Sequence, residues 1–289
     1  MSAKLLDGKV LAARAKDSLK KEVEDLKKKT GKAPSLVNIM IGDDAGAGAY
    51  AASQKKTAEY IGISYRLISL PSGTSEAEVL KQIEGLNKDA SVHGVMIHQP
   101  VPPKIRYESI INSLKPAKDI EGMGTSNLGK ILLGEAKIFP CTPAAVMEHI
   151  KSTGEKLRGK EAVVVGRSEI VGKPVSFLLL QESATVTICH SGTSDAGKLI
   201  EHVKRADIVV AAVGKPEFVK GDWIKKGAIV VDVGINKVGD QLVGDVEFER
   251  AKENAAYITP VPGGVGPVTV CMLMKNCLEA FKAAEGAGS

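Results

Sequence analysis

Cysteine is scarce in this sequence, long apolar runs are missing, and neither sign of charge dominates; each shortfall removes a class of function. The four cysteines, Cys141, Cys189, Cys271 and Cys277, form no C-x-x-C pair. They stand in apolar or strand-like surroundings rather than beside other ligand types, so they read as reduced core thiols, and no metal site is expected. No apolar stretch reaches the roughly 18 uninterrupted residues of a membrane helix, which argues against a membrane partner. The opening residues MSAKLLDGKV are charged by the fourth position and lack a signal-peptide apolar region, so a cytoplasmic protein is expected. With 39 basic against 34 acidic residues the net charge is only +5 and spread along the chain. A nucleic-acid partner is not expected; an anionic small ligand fits this balance as well as a merely solvated surface does.

What is present is core-forming material. The 289 residues are 44% hydrophobic, enough for two modest domains. In DGKVLAARAKDSLKKEVEDLKKKTGKAP, residues Val10, Leu11, Ala15, Leu19, Val23 and Leu26 recur at helical spacing, and Gly31 and Pro34 end the pattern. Three short apolar segments, SLVNIMIG, SYRLISLP and VHGVMIHQP, then alternate with helical patterns at 50–61 and 75–88. This is a βαβαβ arrangement, which requires a parallel sheet with crossover helices. The alternation restarts with EAVVVG, ATVTICH, ADIVVAAVG, GAIVVDVG and AAYITPV, five strands of a second, doubly wound sheet. The expected architecture is therefore α/β with two domains. One spans 1–140 and is joined by the last helix, 268–289; a Rossmann-like domain spans 141–267.

Three constellations carry chemistry. In VVVGRSEIVGKPVSFLLL an apolar strand runs into Gly166, Arg167, Ser168 and Gly172 and then into an apolar helix. Glycines let a backbone approach a phosphate, and a helix N-terminus offers free N–H groups to an anion. The spacing G-x-S-x-x-x-G departs from G-x-G-x-x-G, and a plain strand-to-helix turn would use glycine as well. The next strand ends at His190 and Ser191 without the carboxylate that usually binds the ribose of NAD. With Arg167 available to face a 2′-phosphate, NADP is favoured over NAD; His190 reads equally as a ligand contact or a surface side chain. The second constellation, ITPVPGGVGPVT, holds Pro262, Gly263 and Gly264 in a rigid loop poor in side chains. It suits either a flat ligand or an awkward turn. The third is scattered: Tyr50 and Gln54 one helical turn apart, His98, Gln99 and Pro100 at a strand end, and Glu121 in KDIEG. Strand ends and helix starts are where open α/β sheets bind ligands.

In this order, DGK (7–9), PCTP (140–143), VVGRSEIVGKP, GDWIKKGAIVVDVGIN, VGDV (243–246) and TPVPGGVGPVT resemble the bifunctional methylenetetrahydrofolate dehydrogenase/cyclohydrolase family along nearly the whole chain. The resemblance implies a reduced-folate substrate in a cleft between two domains, NADP on the second domain and a homodimer. It implies Tyr50, Gln99, Pro100, Glu121, Pro262, Gly263 and Gly264 for the substrate, and adds Val171, Gly214 and Ile235 to the cofactor residues. It also exposes departures. The family's Y-x-x-x-K becomes YAASQ, with Gln54 at the catalytic lysine. Lys55 and Lys56 cannot replace it, since successive helical residues are turned about 100° apart. His98 stands for a glutamine, Glu121 for the aspartate that holds the pterin, and Ala47 for a common serine.

The two family reactions make unequal demands. Hydride transfer needs two aligned molecules and no protein base, whereas hydrolysis of the methenyl product gains about 10² to 10⁴-fold from a positioned acid/base. Glutamine does not titrate. The expectation is an NADP-dependent methylenetetrahydrofolate dehydrogenase, with Tyr50, Gln54, His98 and Glu121 as its catalytic set and cyclohydrolase activity lost or much reduced. Three alternatives stand: His98 as a replacement acid/base that keeps both activities, an enzyme for another reduced-pterin carrier, and a silent NADP-binding partner protein.

Overall fold

The computed structural model describes residues 2–287. In chain order the first elements are β1 (Lys4–Leu5), α1 (Gly8–Thr30), β2 (Ser35–Ile41), α2 (Ala45–Ile61), β3 (Ser64–Leu70), α3 (Glu76–Lys88) and β4 (Gly94–Ile97). Then come α4 (Tyr107–Ser113), α5 (Thr125–Leu133), α6 (Cys141–Lys151), β5 (Glu161–Val165), α7 (Gly172–Gln181), β6 (Thr185–Cys189), α8 (Ser191–Asp195) and α9 (Leu199–Arg205). The last are β7 (Ile208–Ala211), β8 (Ile229–Asp232), β9 (Asn236–Val238), β10 (Gln241–Val243), α10 (Phe248–Asn254), β11 (Tyr257–Ile258) and α11 (Val265–Ala284). The chain divides into two compact units. One joins residues up to Ala12 with Thr142–Thr269; the other joins Ala13–Cys141 with the chain from Val270.

The second unit is built on a three-stranded parallel sheet in the order β3-β2-β4. β2 is central because it is apolar almost throughout and can be covered on both faces. β3 alternates and takes an edge. One face packs Leu36, Met96 and Ile120 against Leu19, Val23 and Phe281; the other packs Val37, Ile39 and Val95 against Val79, Ile83 and Ile110. Helix α2 starts five residues earlier than its periodicity predicts, because Asp44 accepts the Ala47 N–H at 2.8 Å and caps a small-residue turn that has no apolar pattern. It ends at Gly62 in the left-handed conformation.

The first unit holds a six-stranded, all-parallel sheet in the order β1-β11-β8-β7-β5-β6, with β9 and β10 as a separate antiparallel hairpin. β5, β7 and β8 are Val/Ile-rich and buried, as strands covered on both faces must be. From β5 the chain goes first to one side, β6, and then to the other, β7. This reversal opens a crevice at their carboxyl ends, where Gly166 and Ala212 follow their strands.

The N-terminal residues differ from the sequence expectation. Residues 1–12 are expected with the first domain, but β1 pairs with β11 through Lys4↔Tyr257 and Leu5↔Ile258, and Ala3 joins that sheet's core. A two-residue strand is too short for periodicity to reveal, and its partner lies at the far end of the chain.

Candidate active site

In the three-stranded unit two of the four expected catalytic side chains, Gln54 and His98, meet at Asn38, which lies in mid-β2 and is fully buried. Its amide nitrogen lies 2.5 Å from Gln54 Oε1, 2.9 Å from Tyr65 Oη and 3.1 Å from His98 Nε2. Gln54 is buried on α2, and its Nε2 reaches Met96 Sδ at 3.2 Å. Gln54 is therefore a neutral amide bound on both sides by neutral groups. Lys55 and Lys56 are exposed on other faces of α2, Lys55 beside Glu59.

His98 follows β4 and is buried, which holds its pKa below the ordinary histidine range and keeps the ring neutral. Its partner is Asn38 rather than Gln54. Tyr50, one turn before Gln54, meets the His98 ring edge-on with centroids 6.1 Å apart. Burial, with Cys141 and Glu121 nearby, raises the Tyr50 phenol well above the usual range, against a hydrogen bond with Gln54.

Glu121 is held by its neighbours on the segment after α4. Asp119 accepts N–H groups from Gly122 at 3.1 Å and Gly124 at 2.8 Å, folding the D-I-E-G turn back on itself. Asn276 ties down the Ile120 carbonyl at 2.8 Å. Glu121 Oε2 is sealed from solvent without a partner. Burial first, and the Asp119 charge second, push its pKa up to about 8, so it is an acid rather than a carboxylate at neutral pH. Gln99 and Pro100 are exposed beyond His98. Asn38 and Asp119 escaped the sequence reading, although Asn38 could have been suspected as the one amide inside an apolar strand.

In the six-stranded unit seven of the nine expected cofactor residues line two cavities, and Gly172 and Gly214 line neither. The first, about 370 Å³, is lined by Gly166, Arg167, Ser168, His190 and Ser191. Gly166 has φ 129°, and a Cβ there would overlap the Ala212 carbonyl at the switch between β5 and β7. Ser168 Oγ accepts N–H groups from Val171 at 3.2 Å and Gly172 at 3.3 Å at the start of α7. Gly172 serves packing, since a Cβ there would overlap the Gly166 carbonyl. His190 Nδ1 accepts the Gly192 N–H at 3.2 Å, so the ring caps α8 as well as lining the cavity. Lys215 and Asp195 line it too and were not anticipated. A glycine-floored cavity edged by Arg167 and Lys215 fits the phosphates of a dinucleotide. The Gly214 N–H is already taken, by Asp245 at 2.9 Å.

The second cavity, about 440 Å³, is lined by Val171, Ile235, Pro262, Gly263, Gly264 and Lys9. Its loop is buttressed by the D-G-K segment. Asp7 caps α1 through the Lys9 N–H at 2.7 Å, and Gly8 donates to the Gly263 carbonyl at 2.9 Å. A Cβ on Gly8 would overlap the Gly264 carbonyl.

Two family models match the chain. The catalytic domain of tetrahydrofolate dehydrogenase/cyclohydrolase matches residues 6–121, and the NAD(P)-binding domain of the same family matches residues 140–285. The bifunctional protein FolD of Bacillus pumilus is 48% identical over 283 residues, covering 98% of this chain and 99% of its own length. The crystal structure of the bifunctional enzyme FolD, methylenetetrahydrofolate dehydrogenase/cyclohydrolase, from Campylobacter jejuni matches with a TM-score of 0.94 at 40% identity, covering 98% of this chain and 99% of that one. A Trypanosoma brucei N5,N10-methylenetetrahydrofolate dehydrogenase-cyclohydrolase, solved with NADP and an inhibitor, matches with a TM-score of 0.92 at 38% identity, covering 98% of each chain.

Proposed function

The chain belongs to the tetrahydrofolate dehydrogenase/cyclohydrolase family, and from that premise we propose that it oxidises methylenetetrahydrofolate to methenyltetrahydrofolate with NADP and hydrolyses the methenyl product only weakly. NADP, when bound, supplies the hydride acceptor. The chain's own residues hold and orient. Gly166 and Ser168 shape the phosphate cradle, and Arg167 and Lys215 supply its positive charge. Tyr50 offers a ring face to a flat pterin, and Glu121, carrying its proton, offers a donor as well as acceptors.

The observation that carries weak hydrolysis is the neutral seat of Gln54. Opening a methenyl bridge needs water activated and a ring nitrogen protonated, and Gln54 has no proton to exchange. His98 does not replace it on this reading. Its Nε2 faces the Asn38 amide, and burial disfavours its charged form.

The test is a paired assay on purified protein: NADP-dependent oxidation of methylenetetrahydrofolate, and decay of added methenyltetrahydrofolate above its spontaneous rate. Oxidation without accelerated decay is expected. Accelerated decay that His98→Gln abolishes would instead establish a bifunctional enzyme with His98 as acid/base. The family resemblance also leads us to expect a homodimer, which sedimentation velocity tests. Among the described residues no helix is long and apolar enough to cross a membrane.

A further inference from the structure

The six-stranded unit buries two carboxylates, Asp232 and Asp245, that the reading above leaves without a task. Asp232 ends β8, and Asp245 lies in the V-G-D-V stretch after β10. Asp245 Oδ2 accepts the N–H groups of Val213 at 2.6 Å and Gly214 at 2.9 Å; its Oδ1 accepts the Lys215 N–H and Asn236 Nδ2, both at 2.9 Å. Three consecutive amides turned onto one anion, with Gly214 at φ 64°, form the kind of concavity that elsewhere cradles a phosphate. This chain fills it with its own side chain.

Asp232 fixes Asp245 in turn. Its Oδ1 accepts the Gly234 and Asp245 N–H groups, both at 2.9 Å, and its Oδ2 accepts the Val246 N–H at 2.8 Å. The fit is crossed and admits no Cβ: one on Gly234 would overlap the Asp245 carboxylate, and one on Gly244 would overlap that of Asp232. The segments so joined floor both cavities. Val213 and Lys215 line the first, and Gly234 and Ile235 line the second.

We propose that Asp245 is a positioning residue for NADP: without touching the cofactor, it sets the spacing between the two cavities by clamping residues 213–215 and Asn236 to one carboxylate. The inference rests on NADP binding to this unit, as proposed above. Its logic is a donor count. A carboxylate accepts all four bonds, whereas asparagine turns an NH₂ toward at least two of the four donors. Glutamate has no room to substitute, since Gly234 packs against the Asp245 oxygen.

The experiment is NADP titration and steady-state kinetics on Asp245→Asn beside the wild type. We expect the NADP Kd and KM to rise about tenfold or more while kcat at saturating NADP changes by less than about twofold. An unchanged NADP Kd, or a kcat loss with KM unchanged, overturns the proposal. Hydrogen exchange on the wild type guards against a variant that does not fold: without NADP, the amides of Val213, Gly214 and Lys215 should be protected, and exchange at the rate of an open loop would refute the clamp. If the wild type fails to bind NADP while those amides stay protected, the cofactor reading has failed rather than the clamp.

Discussion

Asn38 Nδ2 lies within hydrogen-bond distance of Gln54, Tyr65 and His98 and has two hydrogens to share among them, so losing it leaves buried polar groups short of a partner. Each such group costs about 1–3 kcal/mol, and we expect Asn38→Ala to lower stability by about 2–4 kcal/mol in a urea melt. If the neutral seat is what limits hydrolysis, restoring titration should release it. Gln54→Lys combined with His98→Gln is expected to raise methenyl decay at least about tenfold; no gain would place the limit elsewhere. Glu121 makes a pH-dependent prediction. Its folded-state pKa of about 8 lies above the ordinary 4.5, so its stabilising share is complete below 4.5 and lost as pH rises through about 8. Across that window the wild type should lose stability relative to Glu121→Gln in thermal melts, and parallel curves would contradict the assignment. Gln54, His98 and Glu121 were visible as departures from a motif, and Tyr50 as the motif residue in place. That Gln54 and His98 meet at one buried amide was not, because burial and mutual distance belong to the packed chain. Nor can a motif show that Glu121 holds its proton.

At the scale of elements, strands were more legible than their edges. β5, β7 and β8 are nearly continuous apolar runs, and β2 is one interrupted by Asn38, which announces burial on both faces, whereas the first turn of α2 depends on one capping aspartate. Glycines divide in the same way. Gly8 sits at the start of α1 against the Gly264 carbonyl, so Gly8→Ala should displace the P-G-G loop, cost more than about 2 kcal/mol and depress dehydrogenase activity. Gly85 lies within α3 with nothing near its absent Cβ, so Gly85→Ala should stabilise by about 0.5–1 kcal/mol and leave turnover alone. Parallel melts and rate measurements on the two variants check both; equal effects would deny the distinction.

For the whole molecule, NADP at about one hundred times its dissociation constant should stabilise the folded chain by about 2.7 kcal/mol, measurable by calorimetry as a concentration-dependent transition. A transition indifferent to NADP would count against the cofactor assignment. The pairing of β1 with β11 has a consequence for how the protein is made. Lys4 is synthesised ahead of its partner Tyr257, which comes 253 residues later. At about 5–20 residues per second, the opening strand waits on the order of ten seconds or more with its ladder unmade. One edge of the six-stranded sheet is thus made of a strand synthesised long before the partner it pairs with.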